Sequence, residues 1–229
     1  MIFFLDPENL LEERYLMEIT YVGHACFLIR FDTGLTVCFD PYKPGSVPGL
    51  SDANVSADEV YCSHSHGDHC DYESVGKPLI PYEGPAPEVK IIKTFHDEVQ
   101  GAKRGRNNIT KVTSGSETVV HMGDIGCALT DDQIAELKGC DLLLIPVGGF
   151  FTIDCKQAHD MVGQIDPKVV IPMHYRSKIF GYDQISGREE FVELIGNDED
   201  REIISRRFVC EELPKVRSLL LMEPLKILR

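Results

Sequence analysis

The sequence has 229 residues, of which 43% are hydrophobic and 26% are charged, a composition typical of a globular protein with a buried core. Acidic residues outnumber basic ones 37 to 23, giving a formal net charge of -14, and such a surface repels phosphate backbones. No apolar run reaches the roughly 18 residues of a membrane span, so we expect neither a nucleic-acid nor a membrane partner.

The eight cysteines are scattered along the chain and form no CxxC pair. Residues 1–5 lack a cationic segment and run directly into Asp6-Pro7, which does not indicate a secretion signal. In this context, the cysteines are expected to be reduced thiols of a cytoplasmic protein.

Short strands dominate the first half of the predicted secondary structure. Residues 1–16 are predicted to be a helical N-terminal extension, followed by a single domain over residues 17–229. Short β-branched or apolar segments between turns predict strands at residues 18–22, 26–31, 35–39, 59–62, 89–94, 108–112 and 117–121. The last two strands are expected to form a hairpin around Ser114-Gly115.

Strand–helix–strand units fill the second half. Helices are predicted at residues 131–137, capped by Thr130 or Asp131, at 153–165, capped by Thr152 or Asp154, and at 189–195. Strands are predicted at residues 142–147, 169–173 and 216–221. This order favours an α/β sandwich with two sheets over a doubly wound sheet.

One segment carries most of the chemical information. Residues 63–69 read Ser-His-Ser-His-Gly-Asp-His directly after a predicted strand, so four good metal ligands lie within six residues. Backbone alternation directs His64 and His66 the same way, whereas Asp68 and His69 face a second position. Imidazole and carboxylate ligands suit Zn²⁺, Fe²⁺ or Mn²⁺.

This HxHxDH segment resembles the metallo-β-lactamase-fold hydrolase superfamily. Four further segments resemble the superfamily in the same order along the chain: residues 21–27 (YVGHACF), 39–41 (FDP), 121–126 (HMGDIG) and 171–175 (IPMHY). They are similar to a small prokaryotic branch that contains ascorbate-6-phosphate lactonase-like proteins and Zn-dependent hydrolases. The resemblance implies an α/β fold of four αββα layers, with the site at one edge of two sheets.

The resemblance also implies a dinuclear site for two divalent ions, with Zn expected and Mn or Fe as alternatives. It assigns His64, His66 and His96 to one ion, Asp68, His69 and His174 to the other, and Asp124 as a bridge. The implied reaction is attack of a metal-bound hydroxide on an ester, lactone or phosphodiester of a small anionic substrate. Asp68 or Asp124 would orient the hydroxide, and His174 would help to protonate the leaving group.

Other polar residues are expected near this site. His24 would hydrogen-bond a ligand or the substrate, and Asp40 would orient a ligand imidazole, although a buried histidine and a strand-ending carboxylate are the plainer interpretations. Arg104, Arg106 and Asn108 belong to a basic segment that would hold a phosphate or carboxylate, with a solvated loop as the alternative.

Two other classes of function stay open. One is an iron-dependent oxygen or sulfur oxidoreductase on the same fold, and the other is a non-catalytic metal-binding protein. Because the sequence retains all seven ligands that the resemblance implies, it favours an enzyme that acts on a small molecule, and a homo-oligomer is left open.

Overall fold

The computed structural model describes residues 17–196, 201–204, 206–210, 213–214 and 216–228. The predicted N-terminal extension lies outside the described residues. In chain order, the strands are β1 (Met17–Gly23), β2 (Cys26–Arg30), β3 (Thr36–Phe39), β4 (Glu59–Tyr61), β5 (Glu88–Phe95), β6 (Arg106–Ser114), β7 (Glu117–His121), β8 (Leu142–Pro146), β9 (Val169–Met173), β10 (Arg201–Ile204), β11 (Arg207–Cys210) and β12 (Ser218–Met222).

These strands form two sheets. The first has the order β11-β1-β2-β3-β4, and the second has the order β10-β12-β9-β8-β7-β6-β5. In the first sheet β3 and β4 are parallel, whereas β1 and β3 are each antiparallel to β2. In the second sheet β7, β8 and β9 are parallel, and β5-β6-β7 is an antiparallel meander that contains the predicted hairpin.

Three helices of the described chain are α1 (Asp131–Leu137), α2 (Cys155–Ile165) and α3 (Glu189–Ile195). The N-cap of α1 is Thr130 and that of α2 is Asp154, each within a capping box, which decides between the predicted alternatives. Helix α2 contacts α1, α3 and β8, so these helices lie over the second sheet. Among the described residues, no helix has the length and apolar character needed to cross a membrane.

The core lies between the two sheets. All five residues of β8 and all five of β9 are buried, as expected of their continuous apolar runs. Across the sheet interface, the ring of Phe39 on β3 stacks on that of His121 on β7 at 5.3 Å. Two mixed sheets with packed helices therefore form the predicted α/β sandwich.

Strand direction determines where the chemistry gathers. Strands β1, β3 and β4 run the same way in the first sheet, and β5, β7, β8 and β9 do so in the second. Their carboxyl ends meet at one edge of the sandwich, the position at which open α/β sheets bind ligands. The predicted ligands all follow these strands.

Two strands, β10 and β11, are not predicted from the sequence. Strand β11 pairs with β1 at the edge of the first sheet, where Arg207 forms an ion pair with Glu18. Strand β11 is a short, half-exposed edge strand that begins with the charged Arg207, so it lacks the long apolar run that identifies an interior strand.

Candidate metal centre

The seven predicted ligands lie together at the shared strand edge, with Asp124 at the centre. The Oδ2 atom of Asp124 lies 3.1 Å from Nε2 of His69, 3.2 Å from Nε2 of His96 and 3.2 Å from Nε2 of His174. His64 Nε2 is 3.9 Å from the same oxygen. Asp124 is thus the point at which histidines from three separate loops converge.

The ligand atoms form two groups that share no residue, and a third group of His64, His69 and Asp124 connects them. In one group, the ring nitrogens of His64, His66 and His96 lie within 4.8 Å of one another. The other group also has its ligand atoms within 4.8 Å of one another, and it consists of His24, Asp68, His69 and His174. The division matches the expected pair of positions, and it adds His24, which the sequence analysis placed only near the site.

The loop at residues 63–69 is held by a buried carboxylate that follows β3. Asp40 accepts hydrogen bonds from the backbone N of Ser63 at 2.6 Å, from its Oγ at 2.6 Å and from Nδ1 of His69 at 2.7 Å. The bond to Nδ1 fixes the ring so that Nε2 of His69 faces Asp124. Ser63 Oγ also lies 2.9 Å from Nδ1 of His64, which orients that ring as well.

The segment that carries Asp124 depends on a glycine and an asparagine. Gly123 has φ of +56°, and a Cβ there would lie 2.3 Å from Oδ1 of Asn107. That same Oδ1 accepts a hydrogen bond from the backbone N of Asp124 at 2.8 Å, and Asn107 Nδ2 donates to Met122 O at 2.9 Å. Asn107 lies in no recognisable motif, so sequence reasoning missed it.

The site has the electrostatics of a cation site. Burial would raise the pKa of Asp124, but His174 and His69 hold it well below its ordinary value. Burial, with a smaller contribution from His69, lowers the pKa of His64 to about 3. Burial would also lower the pKa of His69, yet the carboxylates of Asp124 and Asp40 raise it well above its usual value. The buried carboxylates of Asp40 and Asp124 therefore favour positive charge at this position.

Unpartnered buried atoms provide the test of whether metal ions fit. His64 Nε2, His69 Nε2 and Asp124 Oδ1 are buried without a hydrogen bond, although buried polar atoms are almost always bonded. A tetrahedral ion with bonds of about 2.1 Å separates its ligand atoms by about 3.4 Å, close to the distances around Asp124. The imidazole and carboxylate donors suit Zn²⁺, Mn²⁺ or Fe²⁺, so the residues fit the implied ions.

A cavity of about 310 Å³ opens onto the ligands. Besides the ligands, its lining includes Arg104, Phe151 and Tyr182. The Cζ atom of Arg104 lies 5.6 Å from the Phe151 ring, and the Tyr182 hydroxyl oxygen lies 3.2 Å from Oδ2 of Asp68. His66 is exposed, so solvent reaches the ligands from this side. Phe151 and Tyr182 were missed from the sequence because neither belongs to a motif.

Comparison with known proteins places the chain in a family. The profile of the beta-lactamase superfamily domain matches residues 18–174. The chain belongs to the metallo-β-lactamase superfamily. The predicted family and its α/β sandwich are confirmed.

Individual members of the superfamily are similar over most of the chain. A metal-dependent hydrolase of Carboxydothermus hydrogenoformans is 28% identical over 70% of this chain and 85% of its own length. A metal-dependent hydrolase of Staphylothermus marinus is 31% identical, covering 69% of this chain and 83% of its own. A solved structure from Thermotoga maritima, assigned to the Zn-dependent hydrolases of the metallo-β-lactamase superfamily, has TM-score 0.71 and 31% identity, covering 91% and 99% of the two chains.

In the predicted basic segment, Arg104 lies at the cavity, whereas Arg106 and Asn108 do not line it. A buried carboxylate, Asp97, accepts backbone hydrogen bonds from Val99, Gly101, Lys103 and Arg104. Burial would raise the pKa of Asp97, but these four bonds lower it to about 2. The ordered loop presents Arg104 to the cavity, whereas Arg106 is exposed and neither it nor Asn108 is part of the described lining.

The remaining histidines and a helix end lie outside the ligand cluster. His121 is buried between the sheets, where Nε2 donates to Ala25 O at 2.8 Å and Nδ1 accepts from Gly123 N at 3.1 Å. His159 is exposed on α2, as expected. The N-terminus of α2 is capped by the carboxylate of Asp154.

Proposed function

We propose that this chain is a dinuclear metal-dependent hydrolase, most simply with Zn²⁺, that cleaves an ester, lactone or phosphodiester bond of a small anionic substrate. The main support for this proposal is that buried imidazole and carboxylate atoms around Asp124 have no hydrogen-bond partner and lie beside an open cavity. The relatives named as metal-dependent hydrolases support the coarser assignment of a metal-dependent hydrolase.

The ions would lower the pKa of a bound water from about 15.7 towards about 7 and polarise the substrate oxygen. Asp68 is the carboxylate best placed to orient the water and accept its proton, because its side chain is 19% exposed and lines the cavity. The Tyr182 hydroxyl, which donates to Ser46 O at 2.6 Å and lies 3.2 Å from Asp68 Oδ2, is a second candidate beside His174 for protonating the leaving group. His174 Nε2 faces Asp124, and its Nδ1 is buried.

Arg104 provides the reason for an anionic substrate. Apart from its contacts with the Phe150 and Phe151 rings, its guanidinium has no hydrogen bond or ion pair within the described part of the chain. An unpaired cation in a chain of net charge -14 is available to a ligand. Guanidinium binds phosphate or carboxylate in a bidentate manner, so the substrate would carry such a group near its scissile bond.

The first test is elemental analysis of the purified protein together with hydrolysis of aryl esters, lactones and aryl phosphodiesters. The wild type should hold two equivalents of zinc or manganese and hydrolyse at least one substrate class. Asp68→Ala should lose turnover, and Asp160→Asn, exposed on α2, should keep it. Two equivalents of iron without hydrolysis would favour the oxygen or sulfur oxidoreductase, and absence of metal after reconstitution would overturn the proposal.

A further inference from the structure

The turn between β1 and β2 holds a histidine in a constrained backbone conformation. His24 has φ of +57°, in the left-handed region that residues other than glycine rarely adopt. Its carbonyl oxygen accepts hydrogen bonds from the backbone N of His174 and from the hydroxyl of Tyr21, both at 3.0 Å. The bond from His174 fastens the turn to the end of β9 and the bond from Tyr21 fastens it to β1, so that the strained conformation is maintained by its surroundings.

The imidazole of His24 is fully buried among the ligands of one ion. Its ring centroid lies 4.1 Å from that of His174 and 5.3 Å from that of His69. Neither Nδ1 nor Nε2 has a hydrogen-bond partner. His121, which is equally buried, uses both of its ring nitrogens. A buried imidazole with two unused nitrogens indicates that a bonding partner belongs in this space.

We infer that Nε2 of His24 is a fourth protein donor to the ion that Asp68, His69 and His174 hold. The inference rests on the proposed function, because it requires that the cluster binds divalent ions. Nε2 of His24 lies 3.5 Å from Oδ2 of Asp68, and Nε2 of His69 lies 3.7 Å from that oxygen. Both distances are longer than an N–H···O hydrogen bond, which is roughly 2.7–3.2 Å between donor and acceptor. They are close to the separation of about 3.4 Å between two ligand atoms bound to one tetrahedral ion.

A fourth donor makes the two metal positions unequal. The position with His24 has three buried imidazoles and one partly exposed carboxylate, whereas the other includes the exposed His66. Besides the bridging Asp124, the position with His24 would have four protein donors and the other position three, so the first leaves less room for water or substrate. The ion beside His24 should therefore be retained longer, while the ion beside His66 exchanges with solvent.

The test is nitrogen NMR of protein labelled with nitrogen-15 in histidine and titrated with zinc alone. On saturation, Nε2 of His24 should move from the shift of a free ring nitrogen to that of a metal-bound one. His121 should not change, which provides an internal control. The spectrum of His24→Gln assigns the signal, and backbone-to-ring correlations in the wild type assign it if that variant does not fold.

The outcomes separate this inference from the proposed function. If His64, His66 and His96 shift on zinc addition while Nε2 of His24 stays unchanged or keeps a bonded proton, His24 is not a ligand and only this inference fails. If none of the histidines shifts, the proposed function fails as well. A folded His24→Gln protein should also lose one zinc equivalent to a chelator at least tenfold faster than the wild type, and equal rates would contradict the inference.

Discussion

Oδ2 of Asp40 lies 2.7 Å from Nδ1 of His69, although 29 residues separate them in the chain. Asp40 ends β3, and His69 ends the loop that follows the neighbouring parallel strand β4. The two strands place the carboxylate behind the imidazole, so that the other ring nitrogen faces the centre of the site. This pairing is the usual way in which proteins orient a metal-binding histidine.

Asp40→Asn should therefore weaken both metal binding and folding. We expect metal affinity to fall by about 10- to 100-fold, because the amide orients His69 poorly. Loss of charged hydrogen bonds to Ser63 and His69 should lower the free energy of unfolding by about 3 kcal/mol. Metal titration and urea unfolding measure the two effects. The control is Asp131→Asn, at an exposed position on α1. Equal losses of metal affinity and stability in this variant would contradict the role given to Asp40.

Gly123→Ala should disrupt the segment that carries Asp124. The new Cβ would lie 2.3 Å from Asn107 Oδ1 at a left-handed φ, which should cost at least about 2 kcal/mol of unfolding free energy and reduce metal content. Gly163→Ala, with open space around the new Cβ in α2, is the matched control. It should gain up to about 1 kcal/mol, because alanine favours helix. Equal stability of the two variants would refute this role for Gly123.

Arg104→Gln should change substrate preference rather than general activity. For an anionic substrate, kcat/KM should fall by about 10- to 100-fold, because one charge-assisted interaction is lost. A neutral analogue with the same leaving group should react at an unchanged rate. Arg106→Gln, exposed in the same basic segment, should have no effect on either substrate. Equal loss on both substrates in Arg104→Gln would point to a structural role.

Asp58 should make stability depend on acid pH. Its carboxylate accepts hydrogen bonds from the backbone N of Thr36 at 2.9 Å and of Tyr82 at 2.8 Å. Burial would raise the pKa of Asp58, but the bonds from Thr36 and Tyr82 lower it below its ordinary value. A lowered folded-state pKa stabilises the protein above the ordinary carboxyl pKa of about 3.9, and this contribution is lost as the pH falls through the lower value.

Asp58→Asn should thus be less stable than the wild type at pH 7, with the difference shrinking as the pH falls below about 4. The effect should stay below about 1 kcal/mol, because water screens this partly exposed group. Urea unfolding of both proteins at a series of pH values measures it. A difference that is independent of pH would show that the carboxylate charge does not contribute.

For the strands and helices with a strong apolar pattern, most of the first and last residues were predicted to within one or two positions. Strand β9 and helices α1 and α3 have the predicted bounds, because apolar runs and capping residues are local signals. Strands β10 and β11 were missed; β11 pairs with β1 at the other end of the chain, a contact that no local sequence signal indicates. The choice of Asp154 over Thr152 as a cap likewise required the backbone geometry.

The sequence by itself determined the family and supplied the candidate ligands, because the residues at positions 63–69 and 121–126 form contiguous motifs. Only the tertiary structure decided how distant loops meet: Asn107 supports Asp124, Tyr182 lies beside Asp68, and Arg104 but not Arg106 faces the cavity. It also placed His24 among the candidate ligands. The physical reason is that a motif is read along the chain, whereas a site depends on the direction of parallel strands and on the contacts between their carboxyl ends.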